Sequence, residues 1–453
     1  MALVDPASSH KWRVNRLRIW LTCALAVGAS ATLHAEPKRN VPDYDGRGNA
    51  DSHASRGILW VPKVLLWPIA TTHDYVVRKP LGALFRTAEH HRWAARLREF
   101  VTFGPENESF LVPTVVYEFG FKPSVGLFLR LADLGVKGHD LRVHGATWGP
   151  DWLSGVVVDR YTWSRETSIS VRGSFVRRPD FLFLGIGPDV TRETRSRYGR
   201  QRFEARTMLA QKLGNESKLA LSGGVQSTSF RAGGYGTDPA LEERIADGTI
   251  PSPPGFGESY ATAFQRLDIV LDSRAPRPAP GTGGYLEAHT QRSEELGGMD
   301  RSWIEYGGTI GGAVDLEEGR QRTVTLQVGA DFVDSFHGEV PFDQLAIMDP
   351  NLMPGFLEGW ATGRSSVGGQ IAYTWPVAVW TDGALRLSAG NAFGPHLSGF
   401  SAGQLRLSAE IGLASIGART SGFELALGVG TTTFDQGTDI DCVRIALRSR
   451  RGL

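Results

Sequence analysis

Two stretches of strict two-residue alternation constrain this chain more than anything else in it. In Thr323–Val333, Val324, Leu326, Val328, Ala330 and Phe332 point one way, and Thr323, Thr325, Gln327, Gly329 and Asp331 the other. Gly369–Pro376 repeats the pattern, with Ile371, Tyr373 and Trp375 opposed to Gln370, Ala372 and Thr374. This period belongs to strands whose two faces meet different solvents. One long loop, His337–Ser366, separates the two stretches, and the same alternation continues elsewhere, broken by turn residues. A transmembrane β-barrel is written in this way.

The N-terminus reads as an export signal over residues 1–35. Lys11, Arg13, Arg16 and Arg18 precede the apolar run Ile19–Val27 and a small-residue stretch ending at Ala35. Removal of that segment takes Cys23 with it and leaves Cys442, so neither an intrachain disulfide nor a cysteine metal site is expected. The most apolar later stretch, Ile58–Ala70, contains Pro62, Lys63 and Pro68 and falls short of the roughly 20 residues that a spanning helix needs. An exported chain without such a helix crosses a membrane only as a closed barrel. The 55 glycines and 41% hydrophobic residues suit a wall in which half of each strand is apolar. A net charge of +1 provides no field to draw nucleic acid, and none is expected as a partner.

Residues 36–109 form a periplasmic lead-in. Its first part, 36–57, is polar and glycine-rich, and Tyr75–Phe100 has helical periodicity. Leu81, Leu84, Phe85, Ala88, Trp93 and Leu97 oppose Arg86, Glu89, His90, Arg92, Arg96 and Arg98, with Pro80 placed to start the helix. Such an amphipathic helix suits a lipid headgroup boundary or a barrel mouth. His90 and His91, being adjacent, diverge on a helix and share no metal.

The barrel occupies residues 110–453. About sixteen antiparallel strands are expected over 110–120, 124–133, 139–148, 152–163, 166–177, 200–213, 216–229, 259–273, 284–294, 302–316, 320–333, 367–377, 384–393, 403–413, 421–432 and 439–449. Long connections (178–199, 230–258, 334–366) follow odd strands and short ones follow even strands, which puts both termini on the periplasmic side. The fold class is therefore all-β, a transmembrane barrel with a short helical N-terminal segment, in the bacterial outer membrane and in contact with its lipid. Arg406, Glu410, Arg444 and Arg448 alternate with apolar neighbours and must face the lumen, since lipid-facing charge costs about 2–4 kcal/mol at mid-membrane. Trp148, Trp152, Trp163, Trp375 and Trp380 fall near strand ends, as interfacial girdles require.

Several motifs resemble those of the BamA/TamA-like barrels, the bacterial surface-antigen family. Asp272-Ser-Arg274, followed by Gly281 and Tyr285, is similar to the family's periplasmic turn. Phe183-Leu-Gly-Ile-Gly187 with Tyr198 resembles its entry into a long loop. Val340-Pro-Phe342, Gly355-Phe356, Gly368-Gly369 and Trp375-Pro376 follow its sixth external loop and the next strand, and Ala389-Gly-Asn391 resembles a strand beyond. The resemblance spans residues 110–449 and implies a loop tip, Pro354, Gly355 and Phe356, inside the lumen, facing Ala372 and Ser388.

Two departures stand out. Residues 36–109 lack the three-strand pattern of a POTRA module, so a barrel without POTRA modules is expected. In the family an arginine of the loop tip meets acidic residues of the next two strands. Here those positions hold Pro354, Ala372 and Ser388, so the tip is expected to be held by packing, with Arg364 and Asp349 as the nearby charged alternatives.

Catalytic signals are weak, and the chain is expected to be non-enzymatic and without cofactor. Gly399-Phe-Ser-Ala-Gly403 matches a nucleophile pattern that works only on a strand-to-helix turn, whereas this one lies between strands. His289 and Ser293 share a strand but lack an orienting third residue. Gly307–Gly312 lies within a strand and cradles no phosphate. The resemblance implies insertion or translocation of client outer-membrane or surface proteins through a weak seam pairing Phe110–Gly120 with Ile440–Ser449. The alternatives are a passive or loop-plugged channel and, third, an outer-membrane hydrolase.

Overall fold

The computed structural model describes residues 90–104, 108–214, 216–274, 281–298, 300–317, 322–378, 381–415 and 421–451, with a few isolated positions before residue 90. The expected signal segment and most of the lead-in lie outside the described residues, as do Trp380 and the start of the expected amphipathic helix. Pro80, Ala83, Leu84, Thr87 and His90 are helical, a turn at His91–Arg92 with Arg92 at φ 51° breaks the expected single helix, and α1, Trp93–Val101, follows it.

Sixteen strands make the wall. The first eight are β1 Ser109–Glu118, β2 Ser124–Ala132, β3 His139–Thr147, β4 Leu153–Thr162, β5 Thr167–Phe183, β6 Ser196–Lys212, β7 Lys218–Arg231 and β8 Tyr260–Asp272. The second eight are β9 Gly283–Glu295, β10 Ser302–Glu317, β11 Arg322–His337, β12 Ser365–Ala378, β13 Thr381–Phe393, β14 Arg406–Ser415, β15 Ser421–Thr433 and β16 Ile440–Arg451. Each pairs antiparallel with the next, and β16 returns to β1, which closes the ring.

Alternation decides the two faces. Leu127, Leu221, Ile310, Leu326, Ile371, Ile411 and Leu427 are all exposed on the outer wall. Their neighbours Gln370, Glu410, Arg406 and Arg444 are buried inside. Leu326 is 60% exposed, while next to it Gln327 donates to Gln370 Oε1 at 3.0 Å in the lumen. Leu326→Lys should therefore hinder folding into bilayers by about 2–4 kcal/mol, and Gln327→Lys should be tolerated. Equal urea midpoints for the two variants in lipid vesicles would contradict this register.

Three details differ from expectation. The 178–199 connection shrinks to 184–195, because a bulge between Arg178 and Phe181, containing Pro179, interrupts the alternation while β5 continues to Phe183. The last long loop is likewise 338–364, since β11 continues to His337. Trp152 is buried beneath the Arg178 guanidinium, 5.4 Å from its ring, and so is no girdle residue, whereas Trp148 and Trp163 are exposed.

The seam is narrower than expected. Among the described residues, only Ala446 with Glu118 and Leu447 with Tyr117 are paired, joined by the Phe119 N–H to Ile445 O bond at 2.9 Å. That bond turns the odd-numbered main-chain groups of β1 toward the seam, where Pro113 has no N–H to give. Lower on the same edge, Thr102 and Phe103 pair with Phe110 and Ser109, since the other edge of β1 is engaged with β2 from Phe110 onward.

Candidate functional site

The 338–364 loop enters the barrel in two parts. Its first turn packs into an apolar cluster at the ends of β5–β8, β10 and β11. Phe342, 2% exposed, has the rings of Phe183, Tyr198, Phe230 and Phe256 around it at 5.1–5.8 Å. Beside it Asp343 accepts from Tyr260 Oη (2.6 Å) and Arg202 (2.7 Å), with Arg200 at 3.4 Å. Burial alone would raise the Asp343 carboxyl, but Arg202 and Arg200 outweigh it and hold the group below its ordinary value. Gly187 N–H donates to Thr362 O at 2.8 Å, so the Phe183–Gly187 entry segment fastens the returning limb.

The second part is the tip. Met353, Phe356, Leu357 and Trp360 are buried with Phe121, Leu184, Val190, Ala392 and Cys442 in one apolar cluster. The inner wall meets this tip with glycines. A Cβ at Gly430 would lie 2.5 Å from the Phe356 ring, and one at Gly428 would lie 2.9 Å from Gly355 Cα. A Cβ at Gly355 itself would lie 2.1 Å from Val429 O, so neither surface has room for a side chain. Gly329 and Gly368 similarly admit Leu352, and Gly390 admits Met353.

Polar groups fix the backbone of the tip. Gly355 N–H donates to Ser408 Oγ (2.7 Å), and Arg444 donates to Pro354 O (3.0 Å). Gln370 Nε2 donates to Asn351 O (2.9 Å) and Leu352 O (3.1 Å), and lies 3.3 Å from Ser388 Oγ. The tip is thus held by packing and by wall donors. An arginine is present as well, but it belongs to β16 rather than to the loop.

Ala372 and Ser388 leave the two expected acidic positions empty of charge, but an acidic pair stands further along the wall, on β14 and β15. Ala372 stands directly across from Arg386, and Arg386 binds both Glu410 and Glu424, the latter at 2.7 Å. Glu410 and Glu424 are thus lumen acids, each 1% exposed, and both are already engaged by one wall arginine. Arg364 stays at the rim, donating to Val333 O at 2.7 Å with Asp334 3.7 Å away.

The periplasmic turn joins this network. Arg274 forks onto Asp272 (2.9 and 2.7 Å) and lies 4.1 Å over the Tyr285 ring. Tyr285 Oη donates to Gln327 Oε1, and Gln327 to Gln370, which holds the tip. Gly281 is buried, but the glycine that the turn needs for its backbone is Gly283, with φ 148° and a Cβ position 2.6 Å from Arg274 Cα. Ser401 lies exposed in the 394–405 connection, and Ser293 and His289 lie four residues apart on the inner face of β9. Ser408, Gln370, Gly428 and Gly430 are tip contacts that the sequence pattern does not single out. Paired glycines at inward positions of β15 were the available signal.

A closed wall with an apolar outer belt and a polar, loop-filled lumen defines a bacterial outer-membrane barrel. No family model and no curated protein matches the chain. Among solved structures it is similar to BamA of Haemophilus ducreyi lacking POTRA domains 1–3, with TM-score 0.55 and 14% identity over 75% of this chain and 69% of that one. It also matches CdiB of Acinetobacter baumannii (TM-score 0.46, 11% identity, 75% and 59% covered). A third match is the alcaligin outer-membrane receptor FauA of Bordetella pertussis (TM-score 0.32, 10% identity, 76% and 57% covered). The fold is that of a BamA-like barrel.

Proposed function

We propose that the barrel assists insertion or translocation of other outer-membrane or surface proteins, without enzymatic chemistry, by opening at the β1–β16 seam. The observation that carries this reading is the seam itself, two paired residues deep where neighbouring strands pair along most of their length. Main-chain groups between Leu111 and Val115 face that edge and can pair with an extended client strand. The 338–364 loop, packed against the inner wall at its tip, speaks against an open passive channel.

The test is a reversible lock. Tyr117→Cys with Leu447→Cys, in a Cys442→Ser background, places two thiols at a paired position within disulfide range. The oxidised barrel should remain heat-modifiable yet fail to restore outer-membrane protein levels in a depletion strain, and reduction should restore them. Full complementation by the locked barrel would refute the proposal.

A further inference from the structure

The connection between β5 and β6, residues 184–195, docks away from its own strands. Gly185 and Gly187 bend it, with φ 132° and 111°, values that L side chains rarely adopt. Beyond them, residues 188–192 lie against β13–β16. Arg406 of β14, fully buried, donates to Pro188 O at 3.1 Å and to Val190 O. Asn391 of β13 donates to Pro188 O at 3.0 Å, and Gln436, in the β15–β16 turn, to Asp189 O at 3.3 Å. Arg192 N–H donates to the Asp441 carboxylate of β16. The Val190 side chain is buried in the cluster that also holds Cys442 of β16 and Phe121 of the β1–β2 turn.

The outer end of β1 is tied to the strands on which this loop is rooted. Lys122 N–H, in the β1–β2 turn, donates to Asp180 Oδ2 of β5 at 2.6 Å. Phe121 lies 5.3 Å from the guanidinium of Arg178 on β5 and 5.3 Å from that of Arg197 on β6. Arg197 in turn donates to Asp180 O at 2.9 Å. The ends of β5 and β6 therefore hold β1 through side chains and β16 through the loop. The shorter way round the wall from β5 to β16 runs through β4, β3, β2, β1 and the seam. A loop rooted on β5 and docked on β14–β16 thus spans the seam, and parting β1 from β16 lengthens the path that it bridges. Above Ile445, where the last seam bond lies, β16 continues to Ile440 beyond the end of β1 at Glu118. Asp441 and Cys442, the residues that meet the loop, belong to that overhang.

We propose that the 184–195 loop is a latch on the seam, and that its undocking from Arg406 and Asp441 frees β16 to leave β1. This rests on the seam opening described above and adds the step that controls it. The latch bonds join loop carbonyls to side-chain donors, and one loop N–H to a carboxylate. They lie outside the strand ladder, so they break without unpairing a strand. Arg406 also donates to Thr431 O at 3.3 Å and to Asp441 at 3.4 Å. Its buried charge therefore stays compensated when the loop leaves, which makes release reversible.

Hydrogen exchange of the full-length barrel in lipid nanodiscs tests the latch, read on peptides covering 109–120 and 440–451. Arg406→Gln should speed exchange there roughly tenfold or more by raising the open population. Val190→Ser, which leaves every wall residue intact, should speed it severalfold and guards against the first variant failing to fold. Arg301→Gln is the control, since it breaks pairs with Glu258 and Glu295 at β8–β10, on the side of the ring opposite the seam. It should leave exchange at the seam unchanged. Wild-type exchange at the seam in both latch variants overturns the proposal, as does equal acceleration by Arg301→Gln. No client is present, so exchange tests the latch alone. Seam loosening in the latch variants, with full complementation by the disulfide-locked barrel, would refute the assembly reading and leave the latch standing.

Discussion

Replacing Phe356 by alanine is expected to release the tip of the long loop while the wall stays closed. The ring is 1% exposed and fills the space that Gly430 leaves, packed 5.7 Å from Trp360. Truncating a buried phenylalanine costs about 3–5 kcal/mol, most of it here carried by loop docking. Limited proteolysis of the folded protein should then cut within 349–363, with heat-modifiable migration retained. Pro354→Arg should also loosen the tip. Its new charge would arrive beside Arg444, and Arg386 already occupies Glu410 and Glu424. A loop as protected as the wild type's in Phe356→Ala would show that the tip is anchored elsewhere.

Arg444→Ala should act on the loop and on the seam at once. The guanidinium donates to Pro354 O on one side and pairs with Glu118 of β1 on the other, and only 4% of the residue is exposed. Removing it strands an acceptor on the loop and a carboxylate on β1, at a cost of up to about 3 kcal/mol, since Glu118 keeps some access to water. Two measurements follow: faster cleavage of the loop, and faster disulfide formation between Tyr117→Cys and Leu447→Cys. Glu118→Gln in the same chain should recover part of the loss, and the cycle of single and double variants gives the coupling. Additive effects would mean that loop and seam are independent.

Alternation carried most of the architecture into view. Leu326 beside Gln327, or Leu407 beside Arg406, states which face each side chain takes, because lipid and lumen tolerate opposite chemistries. Strand ends were harder to see where a bulge shifts the phase, as at Arg178–Phe181, or where an aromatic such as Trp152 turns inward under a cation. The tip was legible as Gly355-Phe356, but its partners were not. Ser408, Gln370 and Arg444 announce only that they face inward, and nothing in their local sequence says which of the many inward residues a distant loop will reach. The seam was legible as the meeting of first and last strands. Its shallow pairing depends on Pro113 and on two lead-in residues, which no periodicity describes.

The glycine lane also sets an order in time. Its members lie on β11, β12, β13 and β15, with Ser408 on β14 and Arg444 on β16. The loop that fills it leaves the ribosome before all but the first of those strands. No seat for Phe356 exists until β15 has paired, and the last donor to Pro354 arrives with β16. Docking of the tip is therefore a late event that reports on the completed wall, and a barrel with a missing or slipped final strand leaves its loop outside.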